Sequence, residues 1–230
     1  MNNQEIEIIP TCVPQSAKDL VERARAIAAF SPAIHIDIVD GLFAPSHTWP
    51  YIEHGRFGEF DLSGISGLSV EIHLMVEEPR EIGKCFARAG AFRVIGHIEA
   101  FEDEDHAHVA LDAWREEGAR EVGLGILMNT PLPLLDHHIF AMDVVQLMTI
   151  PTIGRQGIPY SKNAPARVQE MHERHPDLLI SVDGGVSESN IEELARAGAR
   201  RFCAGSAIAK APNPAAAYKH LKQLAERATL

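Results

Sequence analysis

Short apolar runs alternate with longer amphipathic segments along almost all of the 230 residues, and few folds accommodate such a repeat. The apolar runs are brief and rich in β-branched residues, which is typical of strands in a parallel sheet. They predict strands over residues 5–9, 33–38, 69–74, 92–97, 121–126, 144–148, 178–182 and 201–204. The amphipathic segments predict helices over residues 16–30, 79–89, 106–117, 131–138, 164–175, 188–197 and 214–227, with a less regular one over 51–61.

Eight strands alternating with about eight helices is the pattern of a single (β/α)8 barrel, also called a TIM barrel. Gly90, Gly118 and Gly198 each follow a helical segment and precede an apolar run, as glycines do where helices end. A doubly wound open sheet shows the same alternation and is the second interpretation. The chain carries neither GxGxxG after its first strand nor GxxxxGK[ST], the motifs that most often bring nucleotides to open sheets. Because no Gly/Ser-rich or Pro-rich linker divides the chain, we expect one barrel domain over residues 1–230.

Composition excludes several classes of partner. Lys and Arg number 21 against 32 Asp and Glu, and this acidic balance disfavours nucleic acid and anionic membranes, which both reward clustered basic residues. No run of apolar residues is long enough to span a bilayer, and the amino terminus lacks the basic start and apolar core of a secretion signal. Cys12, Cys85 and Cys203 are odd in number and widely spaced, which favours reduced, buried thiols in a cytoplasmic protein.

Polar side chains stand at the carboxyl ends of several predicted strands, where (β/α)8 barrels have their active sites. His35 and Asp37 are two residues apart, so on a strand they point to the same side. That side is the barrel interior if Ile34, Ile36 and Ile38 face the helices. A buried hydrogen-bonded His–Asp pair is the simpler interpretation of these two residues alone.

His73 and Asp183 end the third and seventh predicted strands and extend this pattern. Together with His35 and Asp37 they predict a His2Asp2 site for one divalent cation. Imidazole and carboxylate ligands suit zinc, iron, manganese or cobalt, and the lack of a thiolate ligand disfavours a structural zinc.

Glycines after the seventh and eighth strands predict a second site. The backbone N–H groups of Gly184, Gly185, Gly205 and Ser206 could hold a phosphate, as loops at this end of such barrels commonly do. Each glycine alone is equally compatible with an ordinary strand-to-helix turn.

The stretch 35–45 (HIDIVDGLFAP) resembles the H-x-D-x-M-D-G-x-F-x-P signature of the ribulose-phosphate 3-epimerase family. Four further stretches resemble that family in the same order: 71–76 (EIHLMV), 96–100 (GHIEA), 181–186 (SVDGGV) and 204–208 (AGSAI). The resemblance runs from about Ile9 to Leu221, which is nearly the whole chain.

The resemblance implies a barrel of the ribulose-phosphate-binding type that epimerises a ketose phosphate at carbon 3, by default D-ribulose 5-phosphate to D-xylulose 5-phosphate in the pentose phosphate pathway. The positions matching His35, Asp37, His73 and Asp183 hold the metal in that family, and those matching the two aspartates also act as acid and base. Met75 and Met148 match methionines that shield the intermediate from water, although a core role is common for methionine. The resemblance also implies a homo-oligomer, a dimer or larger.

Departures from the family lie near the substrate. Val39 replaces a methionine, and the family's P-S-I-L-S reads PTCVP at 10–14, which keeps only the hydroxyl of Thr11. Leu127 replaces an asparagine. The loop at 151–156 (PTIGRQ) is one residue shorter and follows Gly154 with Arg155 in place of a glycine. A guanidinium there either binds the substrate phosphate or points into solvent.

These departures keep other functions open. A related epimerase could act on a hexulose or tetrulose phosphate, and a barrel could bind a sugar phosphate without catalysis. Aldolases and decarboxylases of similar barrels need a D-x-K-x-x-D strand ending, and residues 37–40 (DIVD) supply no lysine.

Overall fold

The structure, a computed structural model, describes residues 5–154 and 158–229. Its strands are β1 (Glu7–Cys12), β2 (Ala33–Val39), β3 (Tyr51–Glu53), β4 (Arg56–Phe57), β5 (Ser69–Met75), β6 (Arg93–His97), β7 (Glu121–Ile126), β8 (Val144–Met148), β9 (Leu179–Asp183) and β10 (Arg201–Ala204). Its α-helices are α1 (Ala17–Ala28), α2 (Pro79–Arg88), α3 (Glu104–Glu116), α4 (Ala164–Arg174), α5 (Ile191–Arg196), α6 (Ser206–Ala209) and α7 (Pro214–Ala228). Short 3₁₀-helical turns span Ser63–Ile65, Ile98–Ala100 and Leu132–His138.

Eight of the strands form one closed parallel barrel in the order β1, β2, β5, β6, β7, β8, β9, β10. The barrel closes because β1 pairs with β2 on one side and with β10 on the other. The (β/α)8 fold is therefore confirmed, and the open-sheet interpretation is wrong.

Alternation along β2 shows how the sequence positions its functional groups. Ile34, Ile36 and Ile38 are fully buried in the apolar layer between strands and helices, which also contains Leu20 of α1. The intervening His35 points into the barrel interior, as the spacing predicts. A strand buried on both faces thus places polar groups inside the barrel without interrupting the outer core.

Helix ends follow the sequence pattern closely. The Ser16 side chain accepts a hydrogen bond from the Asp19 N–H at 3.1 Å and caps α1. Gly90, Gly118 and Gly198 adopt φ angles of 100°, 114° and 119°, as expected for left-handed residues after helices.

The predicted helix over residues 51–61 is wrong, because this segment contains the β3–β4 hairpin. Gly55 turns the chain at a φ of 71°, and the rings of Tyr51 and Phe57 pack across the two strands with centroids 5.7 Å apart. The apolar residues of this segment therefore face one another across a turn rather than along a helix.

Other differences concern boundaries and helix type. The predicted helix over residues 131–138 is a 3₁₀-helical turn over Leu132–His138, where Pro131 and Pro133 remove two backbone donors. Helix α5 begins at Ile191 rather than at residue 188. Strand β1 lies two to three residues later than predicted, so Thr11 belongs to the strand itself.

Trp114 of α3 fixes the packing of α2 against β6. The indole is fully buried, and its Nε1 donates a hydrogen bond to the Arg80 carbonyl oxygen at 3.0 Å. Gly83 of α2 makes room for it, since a Cβ there would lie 2.2 Å from the indole Nε1. Gly96 of β6 does the same on the other side, where a Cβ would lie 2.7 Å from the ring.

The barrel interior holds a buried ionic cluster below the carboxyl ends of its strands. Arg93 Nη1 donates to Glu71 Oε2 at 2.7 Å, and Arg201 Nη2 lies 2.7 Å from the same oxygen. Arg93 also pairs with Glu121. Glu71 is 2% exposed and Arg201 1%, so their charges are balanced by one another rather than by water.

The remaining general expectations concern cysteines and membranes. Cys12, Cys85 and Cys203 are free thiols, and all but Cys85 are buried. Within residues 5–154 and 158–229, the helices are too short or too polar to cross a bilayer.

Candidate active site

The structure brings the four predicted metal ligands together at the carboxyl ends of β2, β5 and β9. One donor atom from each of His35, Asp37, His73 and Asp183 lies within 4.8 Å of the others. Asp37 Oδ1 is 2.9 Å from His73 Nδ1 and 3.2 Å from His35 Nε2. Asp183 Oδ2 is 3.4 Å and 4.0 Å from the same two nitrogens. Two imidazole nitrogens and two carboxylate oxygens therefore point at one small volume.

Burial and charge separate the two carboxyl groups. Burial alone would raise the pKa of Asp37, but the charges and hydrogen bonds of His35 and His73 hold it well below its usual range. Burial together with the negative charge of Asp37 raises the pKa of Asp183 to about 6. Burial opposes protonation of His35, yet the neighbouring Cys203 and Asp37 raise the pKa of His35 above its ordinary value. The four groups thus form one electrostatic unit.

The outer nitrogen of each histidine also has a partner. His35 Nδ1 lies 2.5 Å from Glu71 Oε1, and His73 Nε2 lies 2.9 Å from His97 Nε2. His97 Nδ1 is in turn 3.2 Å from Glu99 Oε2. Both imidazoles are therefore held by contacts on the side away from the four-residue cluster.

The sequence alone assigns no role to Glu71, His97 or Glu99, although all three lie in the stretches that carry the resemblance. The signal was present in their spacing. Glu71 precedes His73 by two residues, and His97 precedes Glu99 by two, as His35 precedes Asp37. The rule that predicts the His–Asp pair also places Glu71 on the interior side of β5.

Apolar side chains surround the mouth of the barrel above the cluster. Val39, Ala44, Met75, Met148 and Ile153 form one buried group. Leu127, Phe43 and Ile150 pack against it. Met148 pairs in register with Asp183, and Val39 with Met75. Both predicted methionines and two of the sequence departures, Val39 and Leu127, thus lie on this rim.

The predicted glycines follow β9 and β10 at the same end of the barrel. Gly184 and Gly185 adopt φ angles of 113° and 68°, which favour glycine. Gly205 precedes α6, whose first residue is Ser206. A Cβ on Gly205 would lie 2.6 Å from Thr11 Oγ1 on β1, so the predicted Thr11 and Gly205 are neighbours.

The loop after β8 begins by crossing the loop after β2. Gly154 has a φ of 78°, and a Cβ there would lie 2.6 Å from the Ala44 Cβ. The Ser46 hydroxyl donates to the Gly154 carbonyl oxygen at 3.2 Å. Arg155, the most unusual predicted substrate contact, lies outside the described residues.

A closed parallel barrel with imidazoles and carboxylates at the carboxyl ends of its strands defines an enzyme of the (β/α)8 class, because active sites of that class form at this end. Residues 7–209 match the model of the ribulose-phosphate 3-epimerase family, and the chain belongs to that family. The resemblance found in the sequence is therefore confirmed. The chain is an isomerase that acts on carbohydrates, and its family supports a ketose-phosphate epimerase.

Individual relatives agree with this membership. A ribulose-phosphate 3-epimerase of Bacillus subtilis is 34% identical over 76% of this chain and 78% of its own. That of Synechocystis is 31% identical over 94% of this chain and 92% of its own. The crystal structure of 3-hexulose-6-phosphate synthase from Salmonella typhimurium superposes with a TM-score of 0.69, covering 97% of this chain and 100% of that one. At 16% identity, this likeness shows a shared fold alone.

Proposed function

We propose that the protein is a metal-dependent ketose-phosphate 3-epimerase that interconverts D-ribulose 5-phosphate and D-xylulose 5-phosphate. The observation that carries the proposal is the convergence of Asp37 and Asp183 on the same two imidazoles. Their strands, β2 and β9, are separated in the barrel by β1 and β10. A substrate lying over the mouth can therefore have a carboxylate on either side of it.

Inversion next to a ketone needs two proton-transferring groups. One carboxylate takes the proton from carbon 3 on one face and leaves an enediolate, and the other returns a proton to the opposite face. Asp37 and Asp183 supply these two groups, and their roles exchange when the reaction runs backwards. Their oxygens lie close to His35 and His73, which limits how far either carboxylate can rotate away from the reacting carbon.

The four-residue cluster fits a divalent cation. His35 Nε2, His73 Nδ1, Asp37 Oδ1 and Asp183 Oδ2 would hold it, since these atoms already face one another. Two imidazoles and two carboxylates suit zinc, iron, manganese or cobalt. When bound, such a cation stabilises the negative charge of the enediolate by several kcal/mol.

The rest of the mouth suits a phosphorylated sugar. Backbone N–H groups of Gly184, Gly185, Gly205 and Ser206 bind the phosphate, and glycine lets the oxygens approach the chain closely. The Thr11 hydroxyl lies beside Gly205 and contacts the same end of the substrate. Met75 and Met148 on the rim keep water from the enediolate. Gly154 and Arg155 are proposed as further contacts to the substrate phosphate.

One observation favours a different ketose phosphate as the alternative substrate. Leu127 makes the rim apolar where the family places an asparagine, so a hydroxyl that the asparagine would bind has lost a partner. Val39 puts a smaller apolar side chain where the family places a methionine. A hexulose or tetrulose phosphate differs from a pentulose phosphate in the hydroxyls that it presents to this rim. The family also leads us to propose a cytoplasmic homo-oligomer, a dimer or larger.

A panel of pentulose, hexulose and tetrulose phosphates, assayed with metal-loaded protein by proton NMR, tests the proposal. We expect epimer formation with the highest kcat/KM for D-ribulose 5-phosphate. A higher value for another length would replace the substrate and keep the mechanism. Binding of the panel without any epimer formation would show a non-catalytic sugar-phosphate-binding barrel instead.

A further inference from the structure

In both histidines of the candidate metal centre, the ring nitrogen that faces away from the cluster contacts a group inside the barrel. The nitrogen of His35 that faces the cluster is Nε2, so its Nδ1 carries the proton when Nε2 acts as a ligand. That proton points at Glu71 Oε1, 2.5 Å from Nδ1. The hydrogen bond holds the ring in the tautomer and orientation that metal binding needs.

Glu71 is itself held rigidly. Its second oxygen, Oε2, accepts from Arg93 at 2.7 Å and lies 2.7 Å from an Arg201 nitrogen. With both oxygens engaged, the carboxylate has one orientation and cannot release His35 by rotating.

His73 faces the cluster with its other ring nitrogen, Nδ1 rather than Nε2. Its Nδ1 faces the cluster, so the ligand tautomer carries the proton on Nε2, which is 2.9 Å from His97 Nε2. His97 must then accept at Nε2 and carry its own proton on Nδ1, which points at Glu99 Oε2, 3.2 Å away. This is the only arrangement in which each hydrogen bond linking His73, His97 and Glu99 has one donor and one acceptor.

Packing fixes the position of His97. Its ring lies against Phe43 with centroids 5.2 Å apart. Gly125 on the adjacent strand leaves space for it, since a Cβ there would lie 3.3 Å from His97 Nε2. Glu99 is held in turn, because its Oε1 accepts the Leu127 N–H at 2.8 Å. Each histidine ligand is therefore linked by hydrogen bonds to a carboxylate. His35 contacts Glu71 directly, and His73 is linked to Glu99 through the imidazole of His97.

We propose that Glu71 and the His97–Glu99 pair are positioning residues that fix the tautomers of the two histidine ligands and so prearrange the metal centre. This inference rests on the metal centre proposed above and assigns three residues to it that touch neither substrate nor metal. Replacing such outer partners typically lowers metal affinity about 10- to 100-fold.

Zinc affinity, measured by competition with a chelating dye, tests the role of Glu71. Glu71→Gln keeps the shape but cannot accept from His35 with one atom and from two arginines with the other. We expect zinc binding about 10- to 100-fold weaker than in the wild type. Glu121→Gln is the matched control, because Glu121 also pairs with Arg93 but does not touch His35. It should bind zinc like the wild type.

The role of the His97–Glu99 pair is tested by ¹⁵N NMR of the histidine rings in zinc-loaded protein, which reports the tautomer of each ring. The wild type should show His97 protonated on Nδ1 and bare on Nε2. Glu99→Ala removes the acceptor, so the His97 ring should lose this single tautomer while zinc binding weakens. Circular dichroism and thermal unfolding of all variants separate this effect from a loss of fold.

The outcomes distinguish the two proposals. Wild-type zinc affinity in folded Glu71→Gln, or an unchanged His97 tautomer in Glu99→Ala, would overturn the positioning role while leaving the metal centre intact. A wild-type protein that binds no divalent metal would overturn the metal centre and this inference with it.

Discussion

Asp37 and Asp183 are the residues on which the proposed proton transfer depends. Asp37→Asn and Asp183→Asn each remove an acid/base group and weaken a metal ligand, so we expect at least about a hundredfold loss of epimerase turnover. Circular dichroism should show an intact barrel in both variants. Asp112→Asn, at an exposed position of α3, is the control and should retain wild-type turnover. Near wild-type activity in either active-site variant would refute the two-acid mechanism.

Arg155 is the sequence's sharpest departure from its family. If its guanidinium binds the substrate phosphate, Arg155→Gly should weaken substrate binding by about 1–3 kcal/mol, the range for losing a charged hydrogen bond. KM values across the panel of ketose phosphates measure this, with metal content unchanged. Unaltered kinetics would contradict phosphate binding by Arg155. Val39 and Leu127 would then be the candidate residues that set substrate preference.

Among individual residues, the sequence could predict those that are polar within an otherwise apolar strand. His35, Asp37, His73 and Asp183 are predictable because each is a polar residue in an otherwise apolar strand of a parallel barrel, whose sites form at the carboxyl ends of the strands. Glu71, His97 and Glu99 follow the same two-residue spacing, but their role depends on which strands are neighbours. That information comes from the register between β2, β5 and β6, which no local pattern contains.

The contact between α2, α3 and β6 makes a prediction about an element. Alanine favours helices over glycine by about 1 kcal/mol at an unconstrained site. At Gly83 the added methyl group would meet the Trp114 indole at 2.2 Å and break its hydrogen bond to Arg80. We therefore expect Gly83→Ala to lower the free energy of unfolding by about 1–3 kcal/mol, a typical cost of overpacking, in urea titrations.

A double variant controls this prediction. Trp114→Phe destabilises the core by itself, but the smaller ring leaves space for the alanine methyl group. The combined change should therefore cost less than the sum of the two single changes. A Gly83→Ala protein more stable than the wild type would show that helix propensity, and not the indole, sets the stability at this position.

Elements with strong periodicity were predictable, and those defined by tertiary contacts were not. Strand β7 and strand β10 match their predicted bounds because continuous apolar runs leave no other choice. The β3–β4 hairpin was not predictable from the sequence, because its apolar residues pair across a turn at Gly55 and helical spacing does not reveal such pairing. The closure of β10 onto β1 likewise follows from the number and tilt of strands rather than from any segment.

The whole molecule should respond to metal removal. A cation that binds only the folded protein stabilises it by about 2.7 kcal/mol at a free concentration 100 times its Kd. Thermal unfolding should therefore shift upwards on adding zinc, manganese or cobalt and downwards on chelation, with epimerase activity lost and restored in parallel. Full activity in protein that elemental analysis shows to be metal-free would contradict the metal centre.

Exchange of the proton at carbon 3 of a ketose phosphate by Asp37 and Asp183 is the central step of the proposed function. Deuterium incorporation tests this most directly, with zinc-loaded protein and D-ribulose 5-phosphate in deuterated water, followed by NMR and mass spectrometry. We predict one deuterium at carbon 3 of each D-xylulose 5-phosphate formed, and a rate at least about a hundredfold lower in Asp37→Asn and Asp183→Asn. Epimer formation without deuterium at carbon 3, or wild-type exchange in either variant, would contradict the account.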